Sequence, residues 1–351
     1  MLFPQQRPRF SAALRDVGAK GARPRALAAA ALSDPPEGRE EEAKEALRML
    51  ADDASAEVRG AALAGLGRLR DEGALDLVLA RFDDGDPMVR QIAIIAAAEI
   101  GDRRAVDALE EALSDARPDV RFQAVASLAT LAPEEAAEPL AALAEDPDPE
   151  VRAHLADALG SLERPEAREP LARMLKDASR EVRRAAAIGL ARAGDRRGAS
   201  VLVDALDDRE RCFEAAWALG ELRVEDAREP LARVAGSLLR PLAAKAAAAA
   251  ALVRLDDPRG VPALRAVLTA LRSDARSYAV QLVGELRLSE LAGEVAALVD
   301  RPRGTDPVVV AEALGKLAPE SPQARSALAV LARRDDEAGR TARAILEAEE
   351  A

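Results

Sequence analysis

Aspartate recurs at an unbroken interval of 31 residues through Asp53, Asp84, Asp115, Asp146, Asp177 and Asp208. A fixed period of this length marks a solenoid, in which each repeat is one supersecondary unit that buries its apolar face only against its neighbours. The repeat overrides the usual reading of a 351-residue chain as two globular domains. It also decides what composition means. Apolar residues make up 49% of the chain and aromatics only 2%, so alanine and leucine supply the core. That mixture favours closely packed helices over a sheet.

Five residues after each of the first five aspartates stands a Val-Arg pair: Val58-Arg59, Val89-Arg90, Val120-Arg121, Val151-Arg152 and Val182-Arg183. Counting on from Val151, Leu155, Leu159 and Leu162 follow at the spacing of one helical face. Nine residues after the valine the chain is always small (Gly67, Ala98, Ala129, Gly160, Ala191), which predicts a close approach by the neighbouring helix. A break follows at Asp71, Gly101-Asp102, Pro133, Pro165 and Gly194-Asp195. A second helical pattern then begins, with Ala74, Ala105, Ala136, Ala167 and Gly198 in register. Pro139, Pro170 and Pro230 fall near its start, where a missing N–H is harmless. The expected unit is an antiparallel helix pair of about a dozen residues per helix.

The frame slips once. Residues 158–174 and 218–234 match at eleven of seventeen positions, but at an offset of 60 rather than 62, so two residues are missing near 208–213. There Arg211-Cys212 replaces the Val-Arg pair, and Phe213 and Trp217 appear. Later units begin at Ala244, Ala275 and Asp306, and a divergent opening unit runs from Pro24 to residue 52. The expectation is an all-α solenoid of about nine to ten helix pairs (nine and part of a tenth by direct count), forming one continuous domain over 22–351 behind a basic arm, 1–21.

The pattern D-x4-V-R-x2-A…L-G-x-L…A-x3-L resembles the HEAT-repeat superfamily, specifically the short bacterial HEAT-like repeats first associated with phycobilin lyases. The resemblance covers roughly 22–351 and implies an α-α superhelix whose second helices line a concave face. It makes the non-core charges of those helices candidate partner contacts: Glu138, Glu169, Arg173, Lys176, Glu229, Arg233 and Arg265. Earlier second helices add Asp107, Glu110, Glu111 and Glu145, so this face grades from acidic to mixed. Trp217 is a candidate anchor, since tryptophan is enriched at binding hot spots, or else fills a gap between helices. Arg7, Arg9 and Phe10 in the arm are candidates for a partner-binding segment, with covering the end of the first repeat as the competing reading.

Constellations for chemistry are not evident. The single histidine, His154, stands 58 residues from the single cysteine, Cys212, and the chain has no phosphate loop, CxxC or HExxH. Deoxyhypusine hydroxylase-like relatives need several His-Glu pairs, and HEAT-like alkylbase glycosylases need a basic, aromatic channel. A net charge of −12 disfavours general nucleic-acid binding. The longest apolar run, Ala246 to Val253, is far short of the ~18 residues of a membrane span. The recurrent aspartate is expected to cap a helix, and the arginine to reach the neighbouring unit's aspartate. As exposed pairs these would contribute about 0–1 kcal/mol each. The expected protein is cytoplasmic, without metal, cofactor or evident small-molecule substrate, and serves as a non-catalytic scaffold or adaptor for a protein partner. The alternative is a phycobilin-lyase-like subunit that attaches or removes a chromophore.

Overall fold

The structure, a computed structural model, describes residues 9–350 apart from 210, 271–274 and 303. Among the described residues it is helical without strands, an α-solenoid of ten helix pairs and a closing helix, Glu337–Glu350. The chain divides into two compact units, Met1–Gly189 and Leu190–Ala351. In the N-terminal unit the first helices are Ala22–Leu32, Ala56–Arg68, Pro87–Ile100, Pro118–Leu131 and Pro149–Ser161. Each packs on the next first helix, and second helices pack back onto the first helices, as Val106–Ala112 does on Pro118–Leu131. The C-terminal unit repeats this with first helices Cys212–Glu221, Leu242–Arg254, Arg276–Glu285 and Pro307–Leu317. The sixth pair, Arg180–Arg192 with Ala199–Ala205, contains the division between the units.

First helices run to the expected dozen residues, but most second helices are shorter. Leu75–Leu79, Val106–Ala112 and Arg168–Met174 are each entered through a three-residue 3-10 turn, Glu72–Ala74, Arg103–Ala105 and Pro165–Ala167. The small column seen in the sequence closes that turn: Ala74, Ala105 and Ala167 are its last residues and are buried. The tighter 3-10 winding thus takes up residues that the period assigned to the helix.

The Asp and Arg columns form one ladder. Arg59 donates from Nε to Asp84 Oδ2 at 2.7 Å and from Nη2 to Oδ1 at 2.6 Å. Arg90 and Asp115, Arg121 and Asp146, and Arg152 and Asp177 repeat the fork. The third guanidinium nitrogen turns back to its own unit, as from Arg90 Nη1 to Asp84 O at 2.8 Å. Each aspartate also accepts the N–H two residues on, as from Asp86 to Asp84 at 2.9 Å. This corrects the capping expectation. The recurrent aspartate closes the turn ahead of the helix, and the first helical N–H groups go to other residues, such as Asp86 accepting from Met88 and Asp148 from Glu150.

Nor are the rungs exposed. Arg121 is 8% exposed and Asp146 6%, so their pairing is a buried, bidentate one. The sequence also concealed a rung. Arg25, which no Val-Arg pair announces, forks onto Asp53 at 2.6 and 2.7 Å and donates to Ala19 O six residues back, as the other rungs do. Its partner lies 28 residues on rather than 25.

Two backbone columns complete the unit. Gly160 lies against Gly189 so closely that a Cβ on Gly160 would sit 2.5 Å from the Gly189 Cα, the close approach predicted from the small column. Twelve residues after the valine column most units turn left-handed, Ala132 (φ −136°) being an exception. Glycine holds that position at Gly101 (φ 84°) and Gly194 (φ 71°), whereas Arg70, Glu163, Arg223, Asp256 and Arg287 adopt it with φ of 47–56°.

Candidate functional site

In the N-terminal unit the candidate second-helix charges are all exposed. Asp107, Glu110 and Glu111 lie on Val106–Ala112, Glu138 on Ala137–Ala141, and Glu169 and Arg173 on Arg168–Met174, with Lys176 two residues beyond its end. Their helices turn Leu109, Leu140 and Leu171 inward, which forces the charges to the opposite side. Glu138, Arg173 and Lys176 make no side-chain hydrogen bond or ion pair among the described residues. A cleft of about 280 Å³ opens on this side between successive second helices, lined by Phe82, Asp83, Glu111, Ser114 and Asp115.

In the C-terminal unit two of the three charged candidates are already engaged. Glu229 takes Arg259 at 2.9 Å, and Arg259 also holds Asp257 at 2.7 Å. Hydrogen bonding from Arg259 lowers Asp257 to about 2 and holds Glu229 below the usual carboxylate range. Arg265 donates from Nε to Glu294 Oε1 at 2.6 Å. Both contacts tie neighbouring helix pairs together. Arg233 is exposed and makes no side-chain hydrogen bond or ion pair among the described residues.

The frame slip has a local structure. The helix Cys212–Glu221 begins without the extra first turn of its counterparts, and Cys212 occupies the ladder-arginine position, fully buried. Burial pushes its thiol up, away from nucleophile behaviour. Its Sγ lies 3.5 Å from Arg209 O, and Arg240 supplies a guanidinium to this turn, donating to Asp207 O at 2.9 Å. The ladder arginine returns at Arg276, fully buried, which donates from Nε to Leu268 O at 2.9 Å and from Nη2 to Ala270 O, again six residues back. Trp217 is half-buried, and nearby Phe213 meets Tyr278 at 5.4 Å between ring centroids.

Of the arm candidates, Arg7 lies outside the described residues. Arg9 is exposed and precedes the helix Phe10–Asp16, which packs on Ala22–Leu32 with Ala13 fully buried. Phe10 is half-buried, with the Arg39 guanidinium 5.0 Å above its ring. His154 is stacked on Phe122 with ring centroids 3.8 Å apart and planes at 14°. Burial lowers its imidazole, and its Nε2 has no hydrogen-bond partner among the described residues. Among those residues no group of three or more His, Cys, Asp and Glu side chains is placed to hold a metal, and no helix is long and apolar enough to cross a membrane. The Phe122–His154 stack escaped sequence reasoning because its members stand on different helices. Arg259 belongs to a column with Arg104 and Arg197, each donating to the aspartate two residues before it, but its reach to Glu229 escaped sequence reasoning.

Residues 77–148 and 137–212 match the family model of HEAT repeats, and 212–236 and 244–269 match the PBS lyase HEAT-like repeat. Among solved structures, Kap95p in complex with RanGDP aligns with a TM-score of 0.61 at 13% identity, over 96% of this chain and 57% of that one. YIBA_ECOLI aligns with 0.56 at 21% identity, over 70% and 92%. Importin beta aligns with 0.51 at 14% identity, over 96% and 52%. A comparison with curated protein sequences gave no match.

Proposed function

Because the chain belongs to the HEAT-repeat superfamily, we propose that it is a non-catalytic scaffold or adaptor that binds a protein partner along its second helices. One observation carries this reading. The Asp and Arg columns of the ladder are consumed by the architecture, each satisfying the other, while the second helices carry exposed charges: an acidic column through Asp76, Asp107, Glu138, Glu169 and Glu229, and others that differ from unit to unit. Arg173, Lys176 and Arg233 are of the second kind, and beside the acidic column that includes Glu138 their opposite sign suits recognition of one partner by charge complementarity. Kap95p with RanGDP shows a solenoid of this fold holding a protein. A cytoplasmic setting fits this reading.

The test is affinity capture from the source cells followed by a hydrogen-exchange footprint of the complex. The chain is compared intact and lacking residues 1–8. A cut after residue 21 would remove the buried Ala13 and the Arg25 acceptors Ala19 and Lys20. Protection over the second helices supports the reading. Loss of capture on removing residues 1–8 moves the contact to the arm.

A second reading, a phycobilin-lyase-like subunit acting on a chromophore, is favoured by the PBS lyase HEAT-like matches at 212–236 and 244–269. Incubation with a bilin and an acceptor protein tests it, and covalent transfer of colour would replace the scaffold reading.

A further inference from the structure

The first helices of the N-terminal unit carry a furrow that the repeat does not require. A depression of about 390 Å³ across Pro87–Ile100, Pro118–Leu131 and Pro149–Ser161 is lined by Gln91, Asp119, Phe122, Gln123, Asp148 and Glu150. A second, of about 330 Å³, shares Gln123 with it and continues past Ile95, Ala126 and Thr130. The floor is apolar and open: Phe122 is 39% exposed and Ile95 36%. Elsewhere in the N-terminal unit the positions equivalent to Phe122 include Gly60, Gln91 and Ala153, and the column is aromatic again at Phe213 in the C-terminal unit. Its ring is braced from one side by the His154 stack, which limits the ordering a ligand would impose.

The rim of the first depression is acidic and its lining holds no cation, whereas Arg70 and Glu99 both line the second. Asp119 is shared with Arg117 at 3.1 Å and Gln91 at 3.2 Å. Asp148 caps the Glu150 N–H at 2.8 Å. The Glu150 side chain makes no hydrogen bond or ion pair among the described residues. An aromatic face beside the free Glu150 carboxylate attracts a cation twice over, through the ring quadrupole and through charge.

We propose that this furrow docks a basic segment of a protein partner, with a Lys or Arg side chain over Phe122 towards Asp148 and Glu150 and an apolar side chain at Ile95 and Ala126. The inference rests on the scaffold reading for the existence of a protein partner, but places a contact on the first helices rather than the second.

His154 is the only histidine in the chain, so its ring signals in NMR report this furrow alone. The full chain is titrated with the peptide acetyl-LKARLK-amide and with the acidic control acetyl-LEAELE-amide. The expected result is a saturable shift of the His154 ring with the basic peptide only, weakened about tenfold or more in Phe122→Ala and in the double variant Asp148→Asn, Glu150→Gln. Phe122→Leu serves if Phe122→Ala melts early, and asparagine keeps the helix cap. An unmoved His154, equal binding of the acidic peptide, or unchanged affinity in the variants overturns the proposal. A shift that appears on raising the protein concentration without peptide assigns the furrow to a second copy and also overturns it. Basic-peptide shifts confined to the second helices overturn it while leaving the scaffold reading intact; that reading fails separately, if affinity capture yields no specific partner.

Discussion

Arg121 and Asp146 meet in a two-pronged ion pair, Nε to Oδ2 and Nη2 to Oδ1 both at 2.7 Å, with side chains only 10% and 2% exposed. The pair joins the fourth and fifth helix pairs, and its third nitrogen donates to Asp115 O at 2.9 Å. Arg121→Ala would leave a desolvated carboxylate and an unpaired carbonyl. Breaking a buried pair from one side costs about 3–5 kcal/mol. Urea unfolding should therefore show a large loss for Arg121→Ala. Arg117→Ala, whose exposed partner is Asp119, should lose less than about 1 kcal/mol. Equal effects would refute the structural role of the ladder.

The same pairs set the acid limit. Asp53, Asp84, Asp146 and Asp177 all sit below the ordinary carboxylate value. At Asp53 and Asp177 the arginine hydrogen bond is the largest influence. At Asp84 and Asp146 burial pushes upward most strongly, and the arginine, a backbone N–H and nearby charge together outweigh it. A carboxylate lowered in the folded state stabilises fully above its unfolded value of about 3.9 and loses that contribution as pH falls through the folded value. The melting temperature should drift slightly down as pH falls below about 6.5, where the unfolded state charges the histidine that burial disfavours charging in the fold, and fall steeply below about pH 4. Arg121→Ala should flatten part of that fall.

The ladder, the helix pairs and the small column were legible because a 31-residue period repeats them, and periodicity is what a sequence displays most openly. The first rung was not, because three additional residues separate Arg25 from Asp53 and break the count. Burial of Arg121 was hidden as well, since an arginine at an exposed-looking helical position reads as solvated until a neighbour covers it. The candidate charges lie on second helices, except Lys176, which stands two residues past the end of Arg168–Met174. That Glu229 and Arg265 are tied up by Arg259 and Glu294 depends on contacts 29–30 residues apart, which the spacing of charges along the chain does not announce.

Gly160 and Gly189 test the packing. A Cβ at Gly160 would sit 2.5 Å from the Gly189 Cα, with backbone rather than a yielding side chain in the way. Gly160→Val should cost about 1–3 kcal/mol in denaturant midpoint analysis, the usual range for overpacking. A neutral substitution would mean the two helices can separate without loss.

The left-handed column predicts opposite signs for one exchange. Gly194 holds φ 71° without strain, so Gly194→Ala should cost about 1–2 kcal/mol. Glu163 holds φ 53° at the equivalent turn, and Glu163→Gly should be neutral or stabilising in the same assay.

The central claim, a protein partner held through the second helices, is tested most directly by charge reversal. The triple variant Arg173→Glu, Lys176→Glu, Arg233→Glu changes exposed residues whose side chains make no hydrogen bond or ion pair among the described residues, so its melting temperature should match the parent. Quantitative affinity capture should then show the partner retained by the parent and reduced about tenfold or more by the variant. Equal retention by both proteins, at equal stability, would contradict the account.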